Sequence, residues 1–179
     1  MLRAVVFDVD FTLIYPGPAF QGTGYQAFAA AHGLTVDPAR FADAVASAGR
    51  LLDLPDETPY DDEIHVRYTR HILEAMGGRG ARLDDCAREI YREWAACHHF
   101  ELYDDVPDAL RRLADAGVRV GLVSNSHRRL DVFQSHFSLD GLITASVSSS
   151  DHGLMKPHPS IFTAVLTMLE VAPEASLMV

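Results

Sequence analysis

Four consecutive apolar residues, Ala4-Val5-Val6-Phe7, run straight into Asp8-Val9-Asp10. A strand with one face in water alternates apolar and polar residues. A continuous apolar run instead predicts a strand buried on both faces, and strands of that kind belong to parallel sheets covered by helices. A second such run, Val118-Arg119-Val120-Gly121-Leu122-Val123, comes only after a long interval. A weaker third is Leu142-Ile143-Thr144-Ala145, and a fourth begins at Leu177-Met178-Val179, where the chain stops.

Helical patterns alternate with these later strands. Val106-Pro107 opens a helix carrying Leu110, Leu113 and Ala114 inward, and Gly117 closes it. Leu130, Phe133 and Phe137 mark the next helix. After a loop from Asp151 to Pro159, Ser160 to Val171 reads as another, with Ile161, Val165, Leu166 and Leu169 apolar. Strand–helix alternation predicts an α/β fold, a doubly wound parallel (Rossmann-like) sheet with right-handed crossovers.

The long interval itself reads as four amphipathic helices. Tyr25, Phe28 and Ala29 share one face of a helix from Gly22 to His32. Asp37-Pro38 supplies an N-cap and a first-turn proline ahead of Phe41, Val45, Ala48 and Leu52. Ile64, Tyr68, Ile72 and Ala75 form a third stripe, closed by Gly77-Gly78, and Leu83, Cys86, Ile90, Trp94 and Cys97 form a fourth. A crossover between parallel strands needs only about a dozen residues. Residues 16–103 are therefore expected to be an inserted helical module, a small bundle. Residues 1–15 and 104–179 would then make up the α/β core. Modules inserted after a sheet strand often cover a site.

Composition excludes several alternatives. The chain has 179 residues, 48% apolar and 22% charged, which suits one domain carrying an insertion and argues against disorder. Its net charge is -10, and Lys/Arg occur at most in pairs, Arg111-Arg112 and Arg128-Arg129, both within helical patterns. That speaks against a nucleic-acid partner. No apolar stretch approaches the ~20 residues of a membrane helix. Met1-Leu2-Arg3 leads straight into the first strand without a signal-peptide layout, so a cytoplasmic location is expected. Cys86 and Cys97, read as one helix, would lie ~16 Å apart, beyond the ~7 Å a disulfide spans. Cys97-His98-His99 is read as a buried thiol and a polar helix end rather than a metal site, because zinc ligands are usually spaced by intervening residues.

Ligands of open α/β sheets bind beyond the carboxyl ends of the strands. Asp8 and Asp10 follow the first strand and, two apart in extended chain, share a face. Two carboxylates that close repel unless a cation or proton intervenes. A nucleophilic carboxylate beside a general acid/base is the natural division of labour. Ser124-Asn125-Ser126 follows the second strand with hydroxyls and N–H groups ahead of a helix N-terminus, where phosphate is welcome. Lys156 sits between a Ser-rich loop and the rigid Pro157-His158-Pro159 turn, with His158 read as a turn residue; a point charge there suits phosphate oxygens.

In order and position these features resemble the haloacid dehalogenase superfamily of hydrolases. The matching residues are Asp8-Val9-Asp10-Phe11-Thr12, then Ser124-Asn125, then Lys156-Pro157 with Pro159 and Ile161-Phe162. The helical insert resembles that family's α-helical cap. The resemblance implies a Mg²⁺-dependent hydrolase of small-molecule phosphate esters. Asp8 would be the nucleophile that forms an aspartyl-phosphate, and Asp10 the general acid and then base. Asp8 and the Asp10 main-chain carbonyl would hold Mg²⁺. Thr12 would shape the loop and, with Ser124 and Asn125, bind the substrate phosphate, and Lys156 would neutralise its oxygens. A phosphosugar mutase is a second reading of the scaffold. A dehalogenase is disfavoured by Asp10, since a leaving halide needs no proton. A third reading is a non-catalytic chain whose exposed edge drives it into a homo-oligomer.

Two departures from the family pattern carry expectations. Phe11 stands where the family usually has Gly; it is expected to pack under the cap, in an ordinary or strained conformation. The family's fourth motif, further acids for the metal, would follow Leu177-Met178-Val179. C-terminal strands and that motif are therefore expected to be missing, with weak Mg²⁺ binding and slow or no turnover, and Asp151 is a candidate stand-in. Arg50, Tyr60, His65 and Arg67 are candidates for substrate selection by residue type alone.

Overall fold

The computed structural model describes residues 1–53, 55 and 57–179. In chain order the strands are β1 (Ala4–Phe7), β2 (Ile14–Pro16), β3 (Phe100–Leu102), β4 (Arg119–Ser124), β5 (Ala145–Ser148) and β6 (Ser176–Met178). The α-helices are α1 (Gly22–Ala31), α2 (Phe41–Ala48), α3 (Asp62–Ala75), α4 (Leu83–Glu93), α5 (Val106–Asp115), α6 (Leu130–His136), α7 (Ser149–His152) and α8 (Pro159–Leu169). They divide into two compact units. One contains Met1–Tyr15, a short segment ending at Tyr60, and Phe100–Val179; the other contains Pro16–Pro55 and Asp61–His99.

The first unit is α/β. Its main sheet has the order β5-β4-β1-β6 with every pair parallel, and Val5 stands opposite Val120 on one side and Leu177 on the other. β2 and β3 form a separate two-stranded sheet. Ala4, Val6, Val123 and Ala145 of the main sheet pack with Ile161, Val165, Leu169 and Val171 from α8 and just beyond it, all buried. Gly121 permits this close approach: a Cβ there would lie 2.9 Å from Leu169 Cδ1 and 3.0 Å from Val165 Cγ2. Gly121→Ala is therefore expected to lose about 1–3 kcal/mol by overpacking, read as a lower urea midpoint at unchanged m-value. An unchanged midpoint would mean that α8 yields freely.

The strand and helix ends differ in places from the sequence reading. The third strand is Ala145–Ser148 rather than Leu142–Ala145, and part of the expected Asp151–Pro159 loop is the short α7. At the edge of the described sheet, hydrogen bonding to β4 sets the strand's position: Thr144 N–H donates to Val120 O, and Gly121–Ser124 then pair with Ala145–Ser148. Apolar character alone pointed upstream.

The second unit is helical. Ile64, Val66, Ile72 and Leu73 of α3 are buried, as are Leu83, Cys86, Ala87 and Ile90 of α4. Asp37 and Asp61 act as caps, accepting from Ala39 N–H and Glu63 N–H at 3.0 Å each. The second predicted stripe is only partly realised: α2 buries Ala44 and Ala48, and Leu52 lies exposed in a 3-10 turn. Nor do Cys86 and Cys97 share a helix, since α4 ends at Glu93 and Cys97 begins a separate 3-10 turn; both are free and buried. Burial pushes the Cys86 thiol up to about 11, which keeps it protonated and unreactive at neutral pH.

Candidate active site

The C-terminal ends of β1 and β4 bring the predicted chemistry together within the α/β unit. Asp8 leaves β1 with its N–H donating to Val179 O at 2.8 Å. Its Oδ1 accepts from the Val9 N–H at 2.8 Å and from the Lys156 ammonium. Lys156 also donates to Val123 O at 3.0 Å, so one cation spans the ends of both strands. Asn125 fixes the lysine's backbone from two sides: its Oδ1 accepts from Lys156 N–H at 2.7 Å, and its Nδ2 donates to Lys156 O at 3.0 Å. The side chain of Asn125 is thus a clamp.

Asp10 has a second cation. Arg128 donates from Nη1 to Asp10 Oδ1 at 2.8 Å, while the Ser124 hydroxyl lies 3.4 Å from Oδ2 and 2.9 Å from the Ser126 hydroxyl. The Arg128 side chain is 0% exposed, and its guanidinium carbon stands 4.4 Å from the centre of the Phe100 ring. This is a correction to the sequence reading, which put Arg128 in a helical pattern. α6 starts only at Leu130 and has seven residues, and neither Asn125 nor Ser126 caps it. Ser124-Asn125-Ser126 therefore does not abut the N-terminus of α6. The chain runs irregularly there because Arg128 turns inward to reach Asp10. The apolar periodicity begins at Leu130, which is the one sequence signal that Arg128 precedes the helix.

Thr12 lies on the turn after Asp10, where Thr12, Leu13 and Ile14 N–H groups all donate to Val9 O. Phe11 takes a left-handed conformation with φ 66°, a cost of roughly 1–2 kcal/mol for a residue with a Cβ. It is 63% exposed. The turn imposes the conformation: Phe11 N–H donates to Ile14 O at 2.7 Å, closing the loop that aims Asp10.

Asp151 is occupied elsewhere. It accepts from Ser148 Oγ at 2.7 Å, and its own N–H donates back to that hydroxyl at 3.2 Å, a cap on α7. His158 caps α8, its Nδ1 accepting from Ser160 N–H at 3.2 Å. Among the described residues, the group of three that offers convergent metal-ligand atoms is Glu93, His98 and His99, within 4.8 Å of one another in the helical unit. Cys97 is not in it, and a 3.0 Å hydrogen bond between His99 and Glu93 accounts for the approach of those two. Of the substrate-selecting candidates, Arg50 lies in the 3-10 turn after α2, while His65 and Arg67 lie on α3. The His65 ring stacks on Tyr91 at 5.6 Å. Tyr60 belongs to the α/β unit, its N–H donating to Gly153 O at 3.0 Å.

A parallel α/β unit with two acids after β1, Ser-Asn after β4 and a clamped lysine after β5 defines a class. The family model described as haloacid dehalogenase-like hydrolase matches residues 2–179, and the chain belongs to that family of hydrolases. It is 25% identical to haloacid dehalogenase-like hydrolase domain-containing protein 3 of Xenopus laevis, across 96% of this chain and 73% of that protein. It is 34% identical to pyrophosphatase PpaX of Bacillus cereus (strain G9842) across 50% of this chain and 43% of that one. The fold matches the crystal structure of a predicted phosphoglycolate phosphatase from Haemophilus somnus 129pt with TM-score 0.67 at 16% identity, over 99% of this chain and 76% of that one. Among the described residues, no helix is long and apolar enough to cross a membrane.

Proposed function

We propose that the chain hydrolyses small phosphomonoesters through a covalent phosphoryl group on Asp8. The observation that carries the reading is the convergence of Asp8, Asp10, Ser124 and Lys156 at adjacent strand ends, with Lys156 bonded directly to the Asp8 carboxylate. An Asp8 oxygen attacks phosphorus in line, the bond from phosphorus to the ester oxygen breaks, and Asp10 delivers a proton to the departing alkoxide. Water then attacks the phosphoryl group, Asp10 takes its proton, and phosphate leaves with Asp8 restored. Lys156 and Ser124 offset the charge on the phosphoryl oxygens, the main electrostatic demand of this reaction.

The donor set suits Mg²⁺. The Asp8 carboxylate and the Asp10 main-chain carbonyl are hard oxygen ligands, which favour Mg²⁺ over the borderline metals. Among the described residues, the hydrogen bonds to the Asp8 carboxylate fall on Oδ1. When bound, the ion would neutralise phosphoryl charge and hold the phosphate against Asp8. In this reading the helical unit is the cap that selects the substrate.

The test is phosphate release from p-nitrophenyl phosphate with Mg²⁺, with EDTA, and beside halide release from a 2-haloacid. Turnover that needs Mg²⁺ and releases phosphate supports the reading. Metal-independent turnover, halide release, or no turnover in Mg²⁺ overturns it.

A further inference from the structure

Arg128 is the one arginine whose side chain is wholly buried among the described ion pairs, and its partner is an acid at the end of β1. Burying a guanidinium is costly, and a buried ion pair is often no more stabilising than apolar residues of the same size. Stability alone is therefore a weak reason to keep it there. Nor can Arg128 trade protons, because a guanidinium stays charged throughout the pH range of proteins. What it can do is hold. Its Nη1 fixes Asp10 Oδ1 at 2.8 Å, and the Phe100 ring, 4.4 Å away, backs the guanidinium from another direction. A carboxylate gripped at one oxygen loses its freedom to rotate, and its second oxygen then points one way. That oxygen is Oδ2, on the side of the Ser124 hydroxyl.

Resting on the hydrolase reading above, we propose that Arg128 is a positioning residue for Asp10: by pinning Oδ1 it makes Oδ2 the oxygen that gives the proton to the departing alkoxide and takes it from water. The division of labour follows from chemistry. Oδ1 is already engaged by the Arg128 guanidinium at 2.8 Å and faces it. Among the described residues, Oδ2 has a long 3.4 Å contact to the Ser124 hydroxyl, which can turn away. β4 ends at Ser124 and α6 begins at Leu130, so Arg128 lies in the irregular segment between them and not on the helix.

The test uses the leaving group. An alkyl phosphate needs its oxygen protonated as the bond breaks, whereas p-nitrophenolate leaves well without a proton, and kcat/KM reports that first step. In Arg128→Met and Arg128→Lys, kcat/KM is expected to fall on both substrates, but by a further factor of about 30 on the alkyl ester, within the range a general acid supplies. Lys should recover part of the alkyl loss, since it keeps the charge but not the fork. A merely structural arginine would lower both substrates equally, and an unchanged alkyl-to-aryl ratio in folded variants overturns the proposal. A second measurement is independent of turnover. Thermal unfolding of Arg128→Met, Asp10→Asn and the double variant should be non-additive by more than about 3 °C, because each single change strands its partner. Additive shifts would mean that the pair does not hold Asp10. If wild type turns over neither substrate, the hydrolase reading falls and the proposal falls with it. Turnover with an unchanged ratio removes the proposal alone.

Discussion

Asp8→Asn is expected to abolish phosphate release while the protein still folds. The side chain keeps its size, and the amide oxygen can still accept from Val9 N–H and Lys156. What disappears is the anionic oxygen that attacks phosphorus. A neutral amide is a far weaker nucleophile, and no neighbouring group replaces it: Asp10 is tied to Arg128, and Asp151 caps α7. Loss of a covalent nucleophile of this kind removes several orders of magnitude from kcat. Because Lys156 would face a neutral partner, a modest change in stability accompanies the loss, that of one partly buried ion pair. The check is phosphate release by pure Asp8→Asn beside wild type, with circular dichroism and the melting temperature as controls on folding. Release at the wild-type rate from a folded variant would remove Asp8 from the role of nucleophile.

Much of this was legible in the residues, for physical reasons that can be named. β1 and β4 are each covered on both faces, so they need apolar residues in unbroken runs, and such runs stand out. Asp8 and Asp10 follow β1 and Ser124 ends β4, so finding those strands located them, whereas Lys156 comes after β5 and α7 and was found by its rigid Pro-flanked turn. β2 and β3, three residues each, are too short to carry a period. β5 is half serine, and only its pairing with β4 fixes its ends. Arg128 falls in a helical pattern by sequence because an arginine declares its charge and not its partner. Its environment is assembled from Phe100 and Asp10, far away in the chain, and no local pattern encodes that. Asn125 was read as a ligand through its N–H, and its side chain's grip on Lys156 likewise depends on two loops meeting. Phe11 was understood as a departure from a glycine position, but its exposure could not be read from residue type.

Lys156→Met is expected to raise the transition-state barrier by about 2–4 kcal/mol, the cost of losing one preorganised charge at a reacting group, or roughly 30- to 1,000-fold in kcat/KM. The number rests on how firmly the ammonium is held. Asn125 clamps the backbone on both its N–H and its carbonyl, and Val123 O accepts from Nζ at 3.0 Å. The side chain is 17% exposed. A lysine so constrained has lost its rotamer freedom before substrate arrives, so its charge acts on the phosphoryl oxygens without further ordering cost. A solvated lysine would have to be ordered first and would contribute little. Methionine keeps the apolar stem and removes only the charge, which isolates the electrostatic part. Arg is not a conservative replacement, because its longer planar fork cannot occupy the point between Asp8 and Val123 O. Kinetics of folded Lys156→Met with p-nitrophenyl phosphate at saturating Mg²⁺ decide the matter. A kcat/KM within twofold of wild type would make Lys156 a link between strand ends and leave phosphoryl charge to be met by the metal and Ser124.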